Sequence, residues 1–366
     1  MTPEAICSLG GTQRQKASLW ETICAIDRIT SMTWSLPLAT ADCPPPKGPI
    51  ADTEGRFVPR FYLYSLADIA SRVLELDNAY ACGRPLSELF STVMSADQEL
   101  RLLASLAPKG WWRMRLSEFT VDSLLQHWHY YLSMRLHLQL ALKSDEDQHY
   151  AFNFITCLEA CQELARRYTA LRPILPTGFF GNPVLDLQVF SAAVFLLLAS
   201  YRTRHAYGTT MQAVNMSLAT TLIDQVVRTM ESVAERTGGD FARQAVGAVR
   251  SLSALLEQPQ TSKLQKITLH LPLVGKINVC RKIHAVNGSA TASHLTPGQP
   301  TMESWQPNAS DISRLAPTTT PSGLTNFGLM DSLSYSMEVP EAYPFLNDEA
   351  FGSEEWLTWT GWDGVT

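Results

Sequence analysis

The sequence of 366 residues contains no CxxC unit, and its seven cysteines, Cys7, Cys24, Cys43, Cys82, Cys157, Cys161 and Cys280, are scattered. Zinc needs clustered thiolates or imidazoles, so this spacing gives no metal site. An odd, unpatterned set of thiols fits free cysteines in a reducing compartment better than a disulfide framework. The opening stretch MTPEAICSLGG has no basic region followed by an apolar run, which argues against a secretory signal. The uncharged stretch Leu187 to Tyr201 is shorter than the ~20 residues that span a bilayer and contains Gln188, Ser191 and Ser200, so it is expected to be a buried helix. There is no Gly-rich phosphate loop and no nucleophile elbow. No acid occurs between Glu257 and Glu303, and no Lys or Arg follows Arg314. The net charge of −6 argues against general attraction to nucleic acid or to an anionic membrane.

What is present is helical periodicity. Apolar residues make up 45% of the chain, enough for a sizeable core. Between His127 and Tyr201 three helical patterns follow one another, separated by an acidic turn and a Pro/Gly turn. Tyr131, Met134, Leu138 and Leu142 recur at helical steps in the first. Phe154, Cys157, Leu158, Cys161, Leu164, Ala165 and Tyr168 do so in the second, opposite Glu159, Gln162, Glu163, Arg166 and Arg167. The third, Leu185 to Ala199, is apolar nearly all round and is expected to be the central helix of the core. Further helices are expected over Gln15 to Thr33, Pro59 to Ala81, Ser87 to Ala107, Thr210 to Glu235 and Asp240 to Glu257. Prolines between Pro37 and Pro46, Gly83-Arg84-Pro85 and Pro108-Lys109-Gly110 stop the early ones. Asp240 is placed to cap the last. Partial alternation from Ile267 to Val286 predicts a hairpin about Pro272 to Gly275.

Near Asn287 the composition turns to Ser, Thr, Pro, Gly and Asn, which cannot bury enough surface to offset ordering entropy. From Leu324 onward acids (Asp331, Glu338, Glu341, Asp348, Glu349, Glu354, Glu355 and Asp363) alternate with large apolar groups. Like charges keep such a segment open, and its aromatics can then insert into a partner's groove. Trp356, Leu357 and Trp359, with Trp362 beyond them, make the first candidate contact, and Phe327, Leu329 and Met330 the second. The alternative is that Trp356 and Trp359 dock on the chain's own domain.

Two stretches resemble a known pattern. In Trp20 to Pro46 a helix ending in Asp27-Arg28, with Ser31 following, leads to a turn at Pro37, then Asp42 and Pro44. In the central stretch Tyr130 and Tyr131 precede His137. Next comes a helix with Cys157, Ala160, Ala165 and Arg166, then Leu-Asp-Leu with Asp186, and Phe190. Asp97 to Pro108 fits as an acidic-Leu helix before a Pro stop. Over residues 15 to 260 the order and spacing of these pieces resemble the middle homology region of fungal zinc-cluster transcription factors. The resemblance implies an all-helical regulatory domain acting in the nucleus. The family's six-cysteine zinc cluster has no counterpart in this chain, and the Gly usual before the turn's proline is replaced by Ser35-Leu36. The chain thus looks like the C-terminal two-thirds of such a factor, implying either a truncated gene or a protein working without its own DNA-binding module.

Candidate chemistry is weighed against packing. His127 and His129 alternate along a helix and point to different faces, so joint metal ligation is disfavoured. Cys157 and Cys161 share a face but lack two further ligands. Asp145-Glu146-Asp147 is the compact internal acid run. A Mg²⁺-dependent all-α enzyme would hold its acids on a helix wall, with a second set downstream, whereas here Asn215 is followed by Ala219 and Ile223. A turn that caps the next helix is the better reading. Trp111-Trp112 beside Arg113 and Arg115 reads as a core anchor ahead of a ligand stack. Lys263, Lys266, Lys276, Arg281 and Lys282 form the most basic region, a candidate for nuclear import or phosphate contact against a solvated flank.

The expected organisation is all-α: an irregular N-terminus (1–14), a multi-helix regulatory domain (15–286), a disordered linker (287–323) and an acidic-aromatic tail (324–366). The expected function is transcription regulation without catalysis. No catalytic, metal or cofactor-binding residue is assigned, zinc belonging to the family module that this chain lacks. Expected partners are the transcription machinery or a coactivator, and a complete zinc-cluster factor or a second copy. DNA would be reached indirectly, and no membrane is involved. A modulator without DNA binding that pairs with a complete factor is the alternative.

Overall fold

Eight α-helices account for most of the described residues, and one of them is wrapped by four others. The computed structural model describes the backbone at residues 11–113, 119–144, 147–179, 181–205, 210–257, 265–271, 275–281, 328–329 and 333–338. Side chains are described over 13–113, 119–144, 147–179, 181–202 and 217–257. The helices are α1 (Gly11–Trp34), α2 (Pro59–Ala81), α3 (Leu86–Leu106), α4 (Val121–Leu142), α5 (Ala151–Leu171), α6 (Asn182–His205), α7 (Thr210–Val233) and α8 (Asp240–Glu257). Short 3₁₀ turns, Gln148–Tyr150 and Arg172–Ile174, precede and follow α5.

Helix boundaries follow local chemistry. Pro59 opens α2, where its missing N–H and fixed φ cost nothing. That helix ends at Gly83, whose φ of +79° is the left-handed stop, closed by Arg84 N donating to Ala79 O at 3.0 Å. Helix α1 ends the same way without a glycine. Ser35 takes φ +53°, and Leu36 N reaches back to Ser31 O at 2.9 Å. Thr120 caps α4, its Oγ1 accepting from Ser123 N at 3.2 Å. Asp147 caps the turn before α5, Oδ1 accepting from His149 N at 2.8 Å, as expected for the acidic turn; Asp145 and Glu146 lie outside the described residues. Asp240 differs from expectation. It lies inside the first turn of α8 and binds Arg243 Nη1 at 2.9 Å, while Gly239 supplies the carbonyl that Arg243 N reaches at 3.0 Å.

Helix α6 is the hub, in contact with α1, α5, α7 and α8. Its Leu185, Val189, Ala192, Ala193 and Leu196 are at most 2% exposed. The buried Leu and Val side chains each contribute about 1.5–3 kcal/mol by leaving water. Asn182–Arg202 is long and apolar enough to cross a membrane, yet 72% of that window is buried among the other helices, the behaviour of a core helix. Helices α2, α3 and α5 pack on α4, and one core cluster runs through them all. In α1 the buried side is Cys24, Ala25, Ile29 and Met32, which leaves Leu19, Trp20 and Ile23 exposed at 57%, 50% and 44%.

After α8 the backbone forms a four-stranded antiparallel sheet in the order β1-β2-β4-β3. The strands are β1 (Gln265–Leu271), β2 (Gly275–Arg281), β3 (Gly328–Leu329) and β4 (Leu333–Glu338). The expected hairpin is present as β1 and β2, in register from Gln265↔Arg281 to Leu271↔Gly275. Strand β4 comes from the stretch read as an open tail and pairs with β2 from Lys276↔Glu338 to Arg281↔Leu333. The alternation Leu333, Tyr335, Met337 on one face against Ser334, Ser336, Glu338 on the other suits a strand. Within the acidic-aromatic segment, residues 333–338 thus take strand backbone.

Candidate functional site

Four bonded groups of polar side chains inside the helical domain each fasten one element to another. The first is built on Asp27 and Arg28 near the end of α1. Asp27 Oδ2 accepts from Thr40 N at 2.9 Å and from Thr40 Oγ1 at 2.8 Å. Arg28, 3% exposed, donates to Cys24 O at 2.8 Å, Thr40 O at 3.3 Å and Cys43 O at 3.0 Å. Ser31 Oγ lies 3.4 Å from Pro37 O. The Pro-rich segment cannot satisfy its own carbonyls by regular pairing, so the guanidinium does it. This accounts for the Asp-Arg-x-x-Ser spacing with a following Pro turn.

The second group joins α5 to α6. Arg172 Nε donates to Asp186 Oδ1 at 2.8 Å, Nη2 to Oδ2 at 3.2 Å, and Tyr168 Oη to Oδ1 at 2.6 Å. All three residues are at most 2% exposed. Burial pushes the Asp186 carboxyl up, against the pull of Arg172 and Tyr168.

The third joins α3, α4 and α5. Asp97 Oδ1 is 3.2 Å from His137 Nε2, Oδ2 accepts from Arg101 Nε at 2.7 Å, and Asn153 Nδ2 lies 2.9 Å from His137 Nδ1. With the Asn153 amide donating to Nδ1, the ring proton sits on Nε2 and faces Asp97. Burial raises Asp97, but the contacts from His137 and Arg101 outweigh it and hold the carboxyl below its ordinary value.

The fourth surrounds His127 and His129. His127 Nε2 meets Gln188 Oε1 at 3.2 Å, and Gln188 Nε2 donates to Thr33 Oγ1 at 2.9 Å, linking α4, α6 and α1. His129 Nδ1 meets Tyr62 Oη at 2.9 Å. Burial lowers both imidazoles to about 3, so both are neutral. Trp111 and Trp112 stand edge to face at 4.8 Å, close to Phe57, Tyr62 and His129. Arg167 donates to Gln126 Oε1 at 2.6 Å and Trp112 O at 3.3 Å, and lies 4.7 Å over the Tyr130 ring. The tryptophans therefore anchor the α3–α4 connection to the core. Cys157 and Cys161 are fully buried, and burial pushes the Cys161 thiol well up.

Among the described residues no group of three or more His, Cys, Asp or Glu comes together as a metal site. His127 and His129 have separate partners on different elements, as their alternation implied. Leu329 lies in β3 with its backbone opposite Leu333, while Phe327, Met330, Trp356, Leu357, Trp359 and Trp362 lie outside the described residues, as does the Asn215 side chain. Lys266, Lys276 and Arg281 are placed on β1 and β2 by backbone alone. Sequence reasoning missed the Arg172–Asp186–Tyr168 group as a unit and the Arg167 fastening. Lone arginines at a helix end gave no pattern signal beyond their charge.

The comparisons with known proteins point one way. A dehydrocurvularin biosynthesis regulator from Aspergillus terreus is 26% identical over 74% of this chain. Transcription factor sdnS from Sordaria araneosa is 22% identical over 75% of it, and a dehydrocurvularin biosynthesis regulator from Alternaria cinerariae 26% over 51%. The chain spans 41%, 37% and 25% of the lengths of those proteins. No protein-family model matches the chain, and no solved structure does. The likeness supports kinship with fungal transcription regulators.

Proposed function

We propose that this chain is a fungal transcription regulator of the zinc-cluster type, with a helical regulatory domain and an acidic-aromatic segment that recruits the transcription machinery or a coactivator in the nucleus. The observation that carries the reading is the likeness to three proteins named as regulators, two of them over about three quarters of the chain. The internal geometry supports it. The polar groups in the four bonded clusters hold helices and loops together, and none pairs a nucleophile with a base. In this reading the domain is a scaffold and the output surface is the acidic-aromatic segment. Trp356, Leu357, Trp359 and Trp362 would insert into a hydrophobic groove while the acids steer the encounter, with Phe327, Leu329 and Met330 as a second contact. DNA would be reached through a zinc-cluster module outside this sequence, or through pairing with a complete factor. Fusion of residues 324–366 to a neutral DNA-binding domain tests the output role. Reporter transcription above that of the DNA-binding domain alone is expected, and none would contradict it.

A further inference from the structure

Two thiols meet where α1 is tied to the Pro-rich segment. Cys24 lies on α1, 2% exposed, and Cys43 is half-buried on the turn that opens that segment. One guanidinium holds both backbones. Arg28 Nη1 donates to Cys24 O at 2.8 Å, and Nη2 to Cys43 O at 3.0 Å. Thr40 links the same pair. Its side chain is hydrogen-bonded to the Cys24 thiol, and its carbonyl accepts from Cys43 N at 3.0 Å. Burial pushes the Cys24 thiol up and the Thr40 hydrogen bond draws it down. Of the charged neighbours Cys43 acts on that thiol most strongly, ahead of Arg28 and Asp27. Both cysteines are free thiols. A disulfide needs its Cα atoms within about 7 Å, and the turn carrying Cys43 can adjust while α1 stays fixed. The difference in exposure gives the two sulfurs separate parts: an oxidant reaches Cys43 first, and Cys24 stands behind it.

We infer that Cys24 and Cys43 form a peroxide-responsive thiol pair that closes to a disulfide and locks the Pro-rich segment onto α1. The Cys43 thiolate attacks hydrogen peroxide and breaks its O–O bond. Its sulfur becomes a sulfenic acid, and the released hydroxide takes up the thiol's proton and leaves as water. The Cys24 sulfur then attacks the sulfenic sulfur, the S–S bond forms, and the leaving hydroxide carries off the Cys24 proton as a second water. Two thiols and one peroxide thus give one disulfide and two waters. The new bond adds a covalent tie to the hydrogen bonds that Arg28 makes, and reduction by a dithiol removes it.

Peptide mapping of the full chain tests this. The reduced protein is treated with hydrogen peroxide and unfolded, its remaining thiols are alkylated, and trypsin is added without reduction. The expected product joins peptide 17–28, which holds Cys24, to peptide 29–47, which holds Cys43. It should be two hydrogens lighter than their sum and come apart with dithiothreitol. On the folded chain, peroxide is expected to slow tryptic cleavage after the exposed Lys47 about fivefold or more, and Cys43→Ser to abolish that slowing. Serine keeps the backbone groups that Arg28 and Thr40 bind, so before peroxide the variant should fold and be cleaved as the parent is. Three results would each overturn the assignment: Cys43 oxidised to the sulfinic acid with Cys24 still alkylated, both thiols still alkylated at a peroxide dose that oxidises the exposed Cys82, or equal slowing in Cys43→Ser.

Discussion

Arg172 and Asp186 meet at 2.8 Å across the turn between α5 and α6, with their side chains 2% and 0% exposed. Both charges have left water, and each depends on the other for compensation. Arg172→Met should therefore destabilise the domain by about 3–5 kcal/mol, since it strands a buried carboxylate. Arg172→Met with Asp186→Leu should recover most of that loss. Urea unfolding followed by circular dichroism measures both, and a double variant as unstable as the single would contradict the coupling.

Stability should depend on pH through His127 and His129. Burial lowers both to about 3 in the folded chain, against about 6.5 when unfolded. Their neutral forms are therefore fully accommodated above pH ~6.5. As pH falls below that value the unfolded chain takes up two protons that the folded chain refuses. Each histidine should cost about 1.4 kcal/mol per pH unit, or about 2.7 together, between roughly pH 6 and pH 4. Unfolding free energies measured at half-unit intervals check the slope. A flat profile in that window would contradict neutral burial.

Two turn positions should respond in opposite directions to glycine chemistry. Ser35 holds φ +53°, which costs a non-glycine residue about 1–2 kcal/mol. Glycine there would relieve the strain but lose up to about 1 kcal/mol to chain entropy. Ser35→Gly should therefore raise Tm by about 1–2 °C. At Gly239 an added Cβ would sit 2.2 Å from Val233 O and 2.8 Å from Ala234 O, both backbone atoms. Gly239→Ala should cost about 1–3 kcal/mol by forcing the α7–α8 turn apart. Thermal unfolding of the two variants decides both.

Arg28 binds Thr40 O and Cys43 O together. Arg28→Lys keeps the charge but loses the planar fork that reaches several acceptors at once. The segment between Ser35 and Lys47 should loosen. Tryptic cleavage after Lys47 should accelerate several-fold while circular dichroism of the helices stays unchanged; an unchanged cleavage rate would show that the segment is held otherwise.

The helices were legible because their signals are local. Pro59, Gly83 and the Pro108 stop mark boundaries within a residue or so of those observed, and the all-round apolarity of α6 announced its central place. The Asp27-Arg28 spacing was visible as a pattern, but its reason, carbonyls of a Pro-rich segment needing donors, required the fold. The exposed side of α1 was not legible. Trp20 and Ile23 share a helical pattern with buried residues, and which side faces the core is a tertiary matter. Strand β4 escaped for a similar reason. Its acidic, aromatic neighbourhood dominated the composition, while the six-residue alternation in Leu333–Glu338 acquires meaning through pairing with β2.

In the proposed function this chain acts on transcription through its aromatic C-terminal segment. The most direct measurement is reporter output from the full chain tethered to a neutral DNA-binding domain, compared with Trp356→Ala/Trp359→Ala at equal protein level. The predicted result is activation by the parent chain and loss of most of it in the double variant. Equal output from the two, or none from either, would contradict the claim.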